Sequence, residues 1–69
     1  MSDIRITFGK HLRKLREVKG WTQEELADKA GMHSTYIGQI ERGIRNPSLI
    51  NLEKIAKALK TTAGELLPF

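Results

Sequence analysis

The sequence predicts an all-α fold, a compact bundle of five short helices. Three observations predict it. Apolar residues recur three and four positions apart along Ile4, Phe8, Leu12 and Leu15, and again along Leu49, Leu52, Ile55, Ala56 and Leu59, which is the period of one helix face. Thr22 with Glu25, and Thr62 with Glu65, form the Thr-x-x-Glu pattern in which each side chain satisfies the other residue's free backbone N–H at a helix start. Gly20, Gly31 and Gly43 each follow an apolar-periodic stretch, where a helix commonly stops.

Taken in chain order, the first helix covers about Ile4 to Lys19, with its four apolar residues on one stripe and Gly20 as its cap. The second opens at Thr22 and runs to about Ala30. Ala27 supplies the small side chain needed where two helices cross, and Gly31 can take the positive φ of a sharp turn. The third covers about Ser34 to Arg42 and stops at Gly43. Met32, Ile37 and Ile40 fall where this part of the chain must face inward. Residues 44–47 form a loop, because Pro47 disfavours helix at Asn46 and suits the start of the next helix. Ser48 caps the fourth helix, whose inward face carries Leu49, Leu52, Ile55, Ala56 and Leu59. A short fifth helix opens at Thr62, and Leu66 and Leu67 close over the core. The links are tight, so the helices form an orthogonal bundle and not a long coiled coil.

A chain of 69 residues bounds the organisation at one domain, spanning 1–69, and makes the core small. With no cysteine a disulfide is excluded, and reduced surroundings such as the cytoplasm fit. His11 and His33 lie far apart without helper ligands, so no metal site is expected. No apolar run approaches a membrane span and no signal peptide is visible, so a cytoplasmic, nucleoid-associated protein is expected. No acid/base pair, activated nucleophile or phosphate-cradling glycine loop is present. Glu24, Glu25 and Asp28 read as solvated charges, so an enzyme is rejected and no cofactor is expected.

The net charge of +4, from 12 basic and 8 acidic residues, favours an anionic partner. Arg5, Lys10, Arg13, Lys14, Arg16 and Lys19 crowd the first helix, where most of them read as an ordinary solvated face.

The sharper signal lies in residues 22–42, where a helix, a glycine turn and a second helix form the helix-turn-helix, whose second helix is offered to a DNA major groove. At 100° per residue, Ile37 and Ile40 point one way. Thr35, Gly38, Gln39 and Arg42 point the other way, with Ser34 at the margin. That side carries no Lys or Glu, unlike an ordinary solvated surface. Ser34, Thr35 and Gln39 are the candidate base-reading residues, and Gln39 can pair in bidentate fashion with an adenine edge. The missing side chain at Gly38 lets the helix axis approach the bases. Gln23, at the positive end of the second helix, is a candidate phosphate ligand. So are Tyr36, whose ring alternatively only packs, and Arg42, Arg45 and Asn46. Arg45 either clamps the backbone or reaches a base or the minor groove.

The segments TQEELADKAG, STYIGQIERG and NPSLINLEKIAKAL resemble the Cro/C1-type helix-turn-helix family, also called the XRE family, over about residues 8–67. The fold so implied is the lambda-repressor-like DNA-binding domain. Within it the chain is similar to the small controller proteins of restriction-modification systems, which often carry Arg where Ser34 stands here. The resemblance implies a transcriptional regulator that binds double-stranded DNA as a homodimer. It also implies a buried ion pair, here Arg16 with Glu41. No small-molecule effector is expected, since five short helices leave no room for a sensing domain. One small module offers too little interface for tight, selective binding, which independently favours two copies on a palindrome. The candidate dimer contacts are Ile50, Leu67 and Phe69, with Pro68 beside them. The rival function is an antitoxin-like protein-interaction module with secondary DNA binding. The chain shows no toxin-binding tail.

Overall fold

The computed structural model describes residues 3–68, which carry five α-helices and no strand. They are α1 (Ile4–Val18), α2 (Gln23–Ala30), α3 (Ser34–Glu41), α4 (Leu49–Ala58) and α5 (Ala63–Leu66). The side chain of Asp3 caps α1 by accepting from the Arg5 N–H at 2.8 Å. The Arg5 guanidinium and that same N–H hold the Asp3 carboxyl down at about 2. Thr22 caps α2 and Thr62 caps α5, each within a reciprocal box with the glutamate three residues on. Ser48 caps α4 by accepting from the Asn51 N–H.

Helix α3 packs on both α1 and α2, while α4 packs on α2 and carries α5. Phe8, Leu12, Leu26, Ala27, Ala30, Ile37, Ile40, Ile55, Ala56, Leu59 and Leu66 form the buried core. Leu15, Trp21, Met32, Tyr36, Leu52, Ala58 and Leu67 pack around it, half-buried.

Two residues of the expected stripes are not in the core. Ile4 is 59% exposed and Leu49 is 84% exposed. Both stand in the first turn of their helix, beyond the edge of the bundle, so the inward face begins one turn later, at Phe8 and Leu52. Ile4 instead overhangs a cleft shared with Phe8, Pro47, Leu52 and Leu67.

One departure from periodicity sets the geometry of the bundle. Gly9 is buried, and a Cβ built on it would lie 2.4 Å from the Ile40 carbonyl oxygen and 2.6 Å from that of Glu41. Thus α1 crosses the end of α3 backbone to backbone. The contact continues at Gly43, where a Cβ would meet the Ile6 Cγ1 at 2.7 Å and where φ is +77°.

The first four helices end in the same way. The backbone N–H groups of Trp21, Met32, Ile44 and Thr61 bond back to the carbonyls of Arg16, Ala27, Gln39 and Ala56, five residues earlier. This closure requires a left-handed residue just before each donor. Glycine fills it at 20, 31 and 43, but at the end of α4 it is Lys60, at φ +55°. A side chain in that conformation costs about 1–2 kcal/mol, against about 0.5–1 kcal/mol for the extra chain entropy of glycine. Lys60→Gly is therefore expected to stabilise the fold by about 0.5–1 kcal/mol, raising Tm by about 2–8 °C. An unchanged or lower Tm in calorimetry would contradict this account of the α4 terminus.

Candidate nucleic-acid interface

The turn between α2 and α3 is built on Gly31, at φ +69°. Ala27, Met32, Ile37 and Ile40 anchor it from behind, buried or half-buried. This fixes the rotation of α3 about its axis. Thr35 and Arg42 face solvent, and Ser34, Tyr36 and Gln39 are half-exposed. Arg45 and Asn46, in the loop after α3, are exposed beside them.

Gly38 does not lie on this open face. It is buried, and a Cβ there would sit 3.2 Å from Gln23 Oε1. The expected close approach of the helix axis to a ligand is thus corrected. The bare backbone at Gly38 makes room for the Gln23 side chain, which crosses it to reach Glu41. Gln23 Nε2 donates to Glu41 Oε1 at 3.1 Å, so this amide is turned mainly into the protein.

Behind that contact stands the ion pair of α1 and α3. Arg16 Nε donates to Glu41 Oε2 at 2.7 Å and Arg16 Nη2 to Glu41 Oε1 at 3.0 Å. Arg16 Nη1 donates to the Trp21 carbonyl at 2.6 Å. Both side chains are nearly fully buried, at 10% and 3% exposure. Hydrogen bonding to Glu41 raises the Arg16 guanidinium above its ordinary value, outweighing the opposing effect of burial. Among the described residues no buried side-chain nitrogen or oxygen lacks a partner. The pair therefore locks α1, the α1–α2 link and α3 together without an orphaned charge.

A second set of polar contacts lies at the open edge of α3. Asn51 Nδ2, from α4, donates to the Tyr36 hydroxyl at 2.9 Å. The Tyr36 oxygen accepts there, so its own O–H remains to donate outward. The Arg45 guanidinium lies 5.6 Å from the centre of the Tyr36 ring. Arg45 Nε and Nη2 each donate to Gln39 Oε1 at 3.2 Å. Asn51 had no signal in the sequence, because a contact spanning 15 residues follows no helical period.

The expected dimer residues are only partly assembled. Ile50 is 68% exposed on α4. Leu67 is half-buried and lines a cleft with Leu49, Leu52 and Leu66. Pro68 is exposed. Phe69 lies outside the described residues. Leu49, expected inside, is therefore the apolar residue that borders Leu67 at the surface.

No helix of the described residues is long and apolar enough to cross a membrane. Nor does any group of three or more His, Asp or Glu among them have the placement to hold a metal ion.

Known proteins of this shape agree with one another. A helix-turn-helix family model matches residues 12–66. The control protein C.BamHI of Bacillus amyloliquefaciens is 48% identical over 69 residues, covering 99% of this chain and 85% of that protein. The restriction-modification controller protein C.AhdI from Aeromonas hydrophila superposes with a TM-score of 0.88 at 47% identity, covering 90% of this chain and 94% of that one. SinR, a master regulator for biofilm formation solved in complex with DNA, superposes with a TM-score of 0.82 at 38% identity, over 87% of this chain and 97% of that one. With most of its length matched and its turn, inward residues and open α3 face arranged as described, this chain belongs to the helix-turn-helix family.

Proposed function

We propose that the chain is a sequence-specific double-stranded DNA-binding regulator of transcription, acting by occupancy of an operator and not by catalysis. The observation that carries this reading is the two-sidedness of α3. Ile37 and Ile40 are fully buried, while Thr35, Gln39 and Arg42 remain open on the far side. A rigid helix with a short polar face, held proud of the bundle, meets the steric demand of a major groove. The DNA-bound SinR relative and the controller proteins support it.

In this reading Ser34, Thr35 and Gln39 face base edges. Arg42, Asn46 and the Tyr36 O–H meet phosphate oxygens, with Asn51 holding the Tyr36 hydroxyl in place. Gln23 contributes its remaining N–H beside the free backbone N–H groups that open α2. Two copies related by a two-fold axis set their α3 helices about 34 Å apart on a palindrome. The exposed Ile50 and the Leu49–Leu67 edge supply the apolar contact between them. Similarity to C.BamHI and C.AhdI supports a role as a restriction-modification controller in the cytoplasm.

Selection of duplexes from a random pool, followed by affinity measurements across a salt series, tests the proposal. A two-fold symmetric motif is expected. The logarithm of the affinity should fall steeply and linearly with the logarithm of salt concentration, by about 0.9 per phosphate neutralised. Gln39→Ala should lose about 1–3 kcal/mol on the selected site and relax selection at one base pair of each half-site. A protein that holds no duplex at low ionic strength would refute the reading, and a strictly monomeric complex would refute the dimer.

A further inference from the structure

We infer that Gly38 is a positioning residue for the phosphate contacts: its bare backbone seats the Gln23 amide and the Arg42 guanidinium side by side, and a side chain there would part them. This inference rests on the DNA-binding reading above.

Gly38 lies in the middle of α3, where glycine is a poorer helix former than any residue but proline. No left-handed dihedral demands it, since the glycines with positive φ are Gly20, Gly31 and Gly43. What Gly38 supplies is space. A Cβ there would stand 3.2 Å from Gln23 Oε1, 3.7 Å from Gln23 Cδ and 3.6 Å from Arg42 Nη1. All three atoms belong to the heads of side chains. One comes from the first residue of α2 and the other from the C-cap of α3. Together they cover Gly38, which is buried although it stands within one turn of the exposed Thr35 and Arg42.

The two heads differ in what holds them. Gln23 Nε2 donates to Glu41 Oε1 at 3.1 Å, and Glu41 is itself held by two bonds from Arg16. The amide is therefore tied to the buried ion pair and yields little. Arg42 is exposed, so it is the one that a side chain at 38 would push aside. Arg42 would keep its charge but lose its place, and a phosphate contact depends on the direction of the N–H groups as well as on charge. The –NH2 group of Gln23 has one N–H beyond its bond to Glu41, and the guanidinium beside it adds its own donors. The seat at Gly38 thus holds two donor heads within reach of one stretch of DNA backbone, although Gly38 itself touches no phosphate.

The test measures affinities of the wild type, Gly38→Leu, Arg42→Ala and the double variant, by fluorescence anisotropy across a salt series. The probes are the selected duplex and its single-base-pair variants. Leucine is a better helix former than glycine and the crowding falls on side-chain heads, so the melting temperature should stay near that of the wild type. Gly38→Leu should weaken every duplex by one common factor, about tenfold. It should also reduce the slope of log affinity against log salt by about 0.9, the share of one phosphate. Arg42→Ala should behave alike. In the double variant the losses should overlap, leaving it close to Arg42→Ala alone, because both changes remove the same contact. Gly38→Ala, with one added carbon, should lose about threefold in the same pattern, and it takes the place of Gly38→Leu if leucine unsettles the fold. A folded variant at 38 that binds every duplex as the wild type does, with the same salt slope, would overturn the inference. So would losses that multiply in the double variant, since the new side chain would then obstruct DNA directly. A loss confined to one base pair would overturn it too, by placing Gly38 against a base edge. Failure of the wild type to bind any duplex would instead end the reading beneath it, and the inference with it.

Discussion

Arg16→Ala is expected to remove about 3–5 kcal/mol of stability, because it leaves Glu41 as an uncompensated buried charge. Glu41 accepts two bonds from Arg16 and one from Gln23, and its side chain is only 3% exposed. Removing Arg16 deletes two of those three bonds and also removes the side-chain donor to the Trp21 carbonyl in the α1–α2 link. For a domain of this size each kcal/mol shifts Tm by about 4–8 °C, so a fall of at least about 12 °C should be seen by thermal circular dichroism. The Arg13–Glu17 pair, on the same helix, gives the contrast. Its side chains are 65% and 54% exposed, and exposed pairs contribute about 0–1 kcal/mol. Arg13→Ala and Lys14→Ala should therefore melt close to the wild type. The double variant Arg16→Met with Glu41→Leu should recover most of the loss, since it removes both charges at once. Equal melting temperatures for Arg16→Ala and Lys14→Ala would show that the pair contributes nothing.

The second large effect comes from the smallest substitution. Gly9→Ala places a methyl group in the middle of α1, where helix propensity alone favours alanine by about 1 kcal/mol. Packing opposes it. The new carbon would stand 2.4 Å from one carbonyl oxygen of α3 and 2.6 Å from the next. These are backbone atoms of a helix end, with no rotamer to change, so α1 must lift from α3. Overpacking of this kind costs about 1–3 kcal/mol, and here the Arg16–Glu41 geometry is disturbed as well. The net expectation is a loss of up to about 2 kcal/mol, read as a lower midpoint in urea. Gly64→Ala is the control. The nearest atom to a Cβ there is the Thr62 Oγ1 at 3.8 Å, so propensity should prevail and stability should hold or rise slightly. A Gly9→Ala protein as stable as the wild type would mean that the α1–α3 crossing is looser than its backbone distances require.

Much of this was legible in the residues because it is local. Thr22 and Glu25 lie three positions apart and need only one turn of helix to meet. Gly31 answers a dihedral requirement of its own turn. Ile37 and Ile40 share a face through the helical period alone. The errors have a common origin too. Ile4 and Leu49 fit their stripes, but a periodic pattern does not say where the neighbouring helix ends, and both project past it. Gly38 sat correctly opposite the isoleucines on the wheel, yet Gln23 from another helix lies across it. Gln39 was readable as an amide on the open side of α3. That Arg45 occupies its carbonyl was not, because the loop after α3 carries no period from which to place a side chain.

The order of residues was sufficient for the five helices, the caps at Thr22, Ser48 and Thr62, the sharp turn at Gly31 and the separation of an apolar back from a polar front on α3. All of these follow from interactions within a few residues of one another, whose geometry the helix itself supplies. Tertiary packing alone decided the backbone contact at Gly9, the Gln23 bond that joins the Arg16–Glu41 pair and the coupling of Asn51, Tyr36, Arg45 and Gln39. Those depend on how separate helices approach in space, and the energy of approach comes from burying the shared core, which leaves no mark on the spacing of the residues that meet.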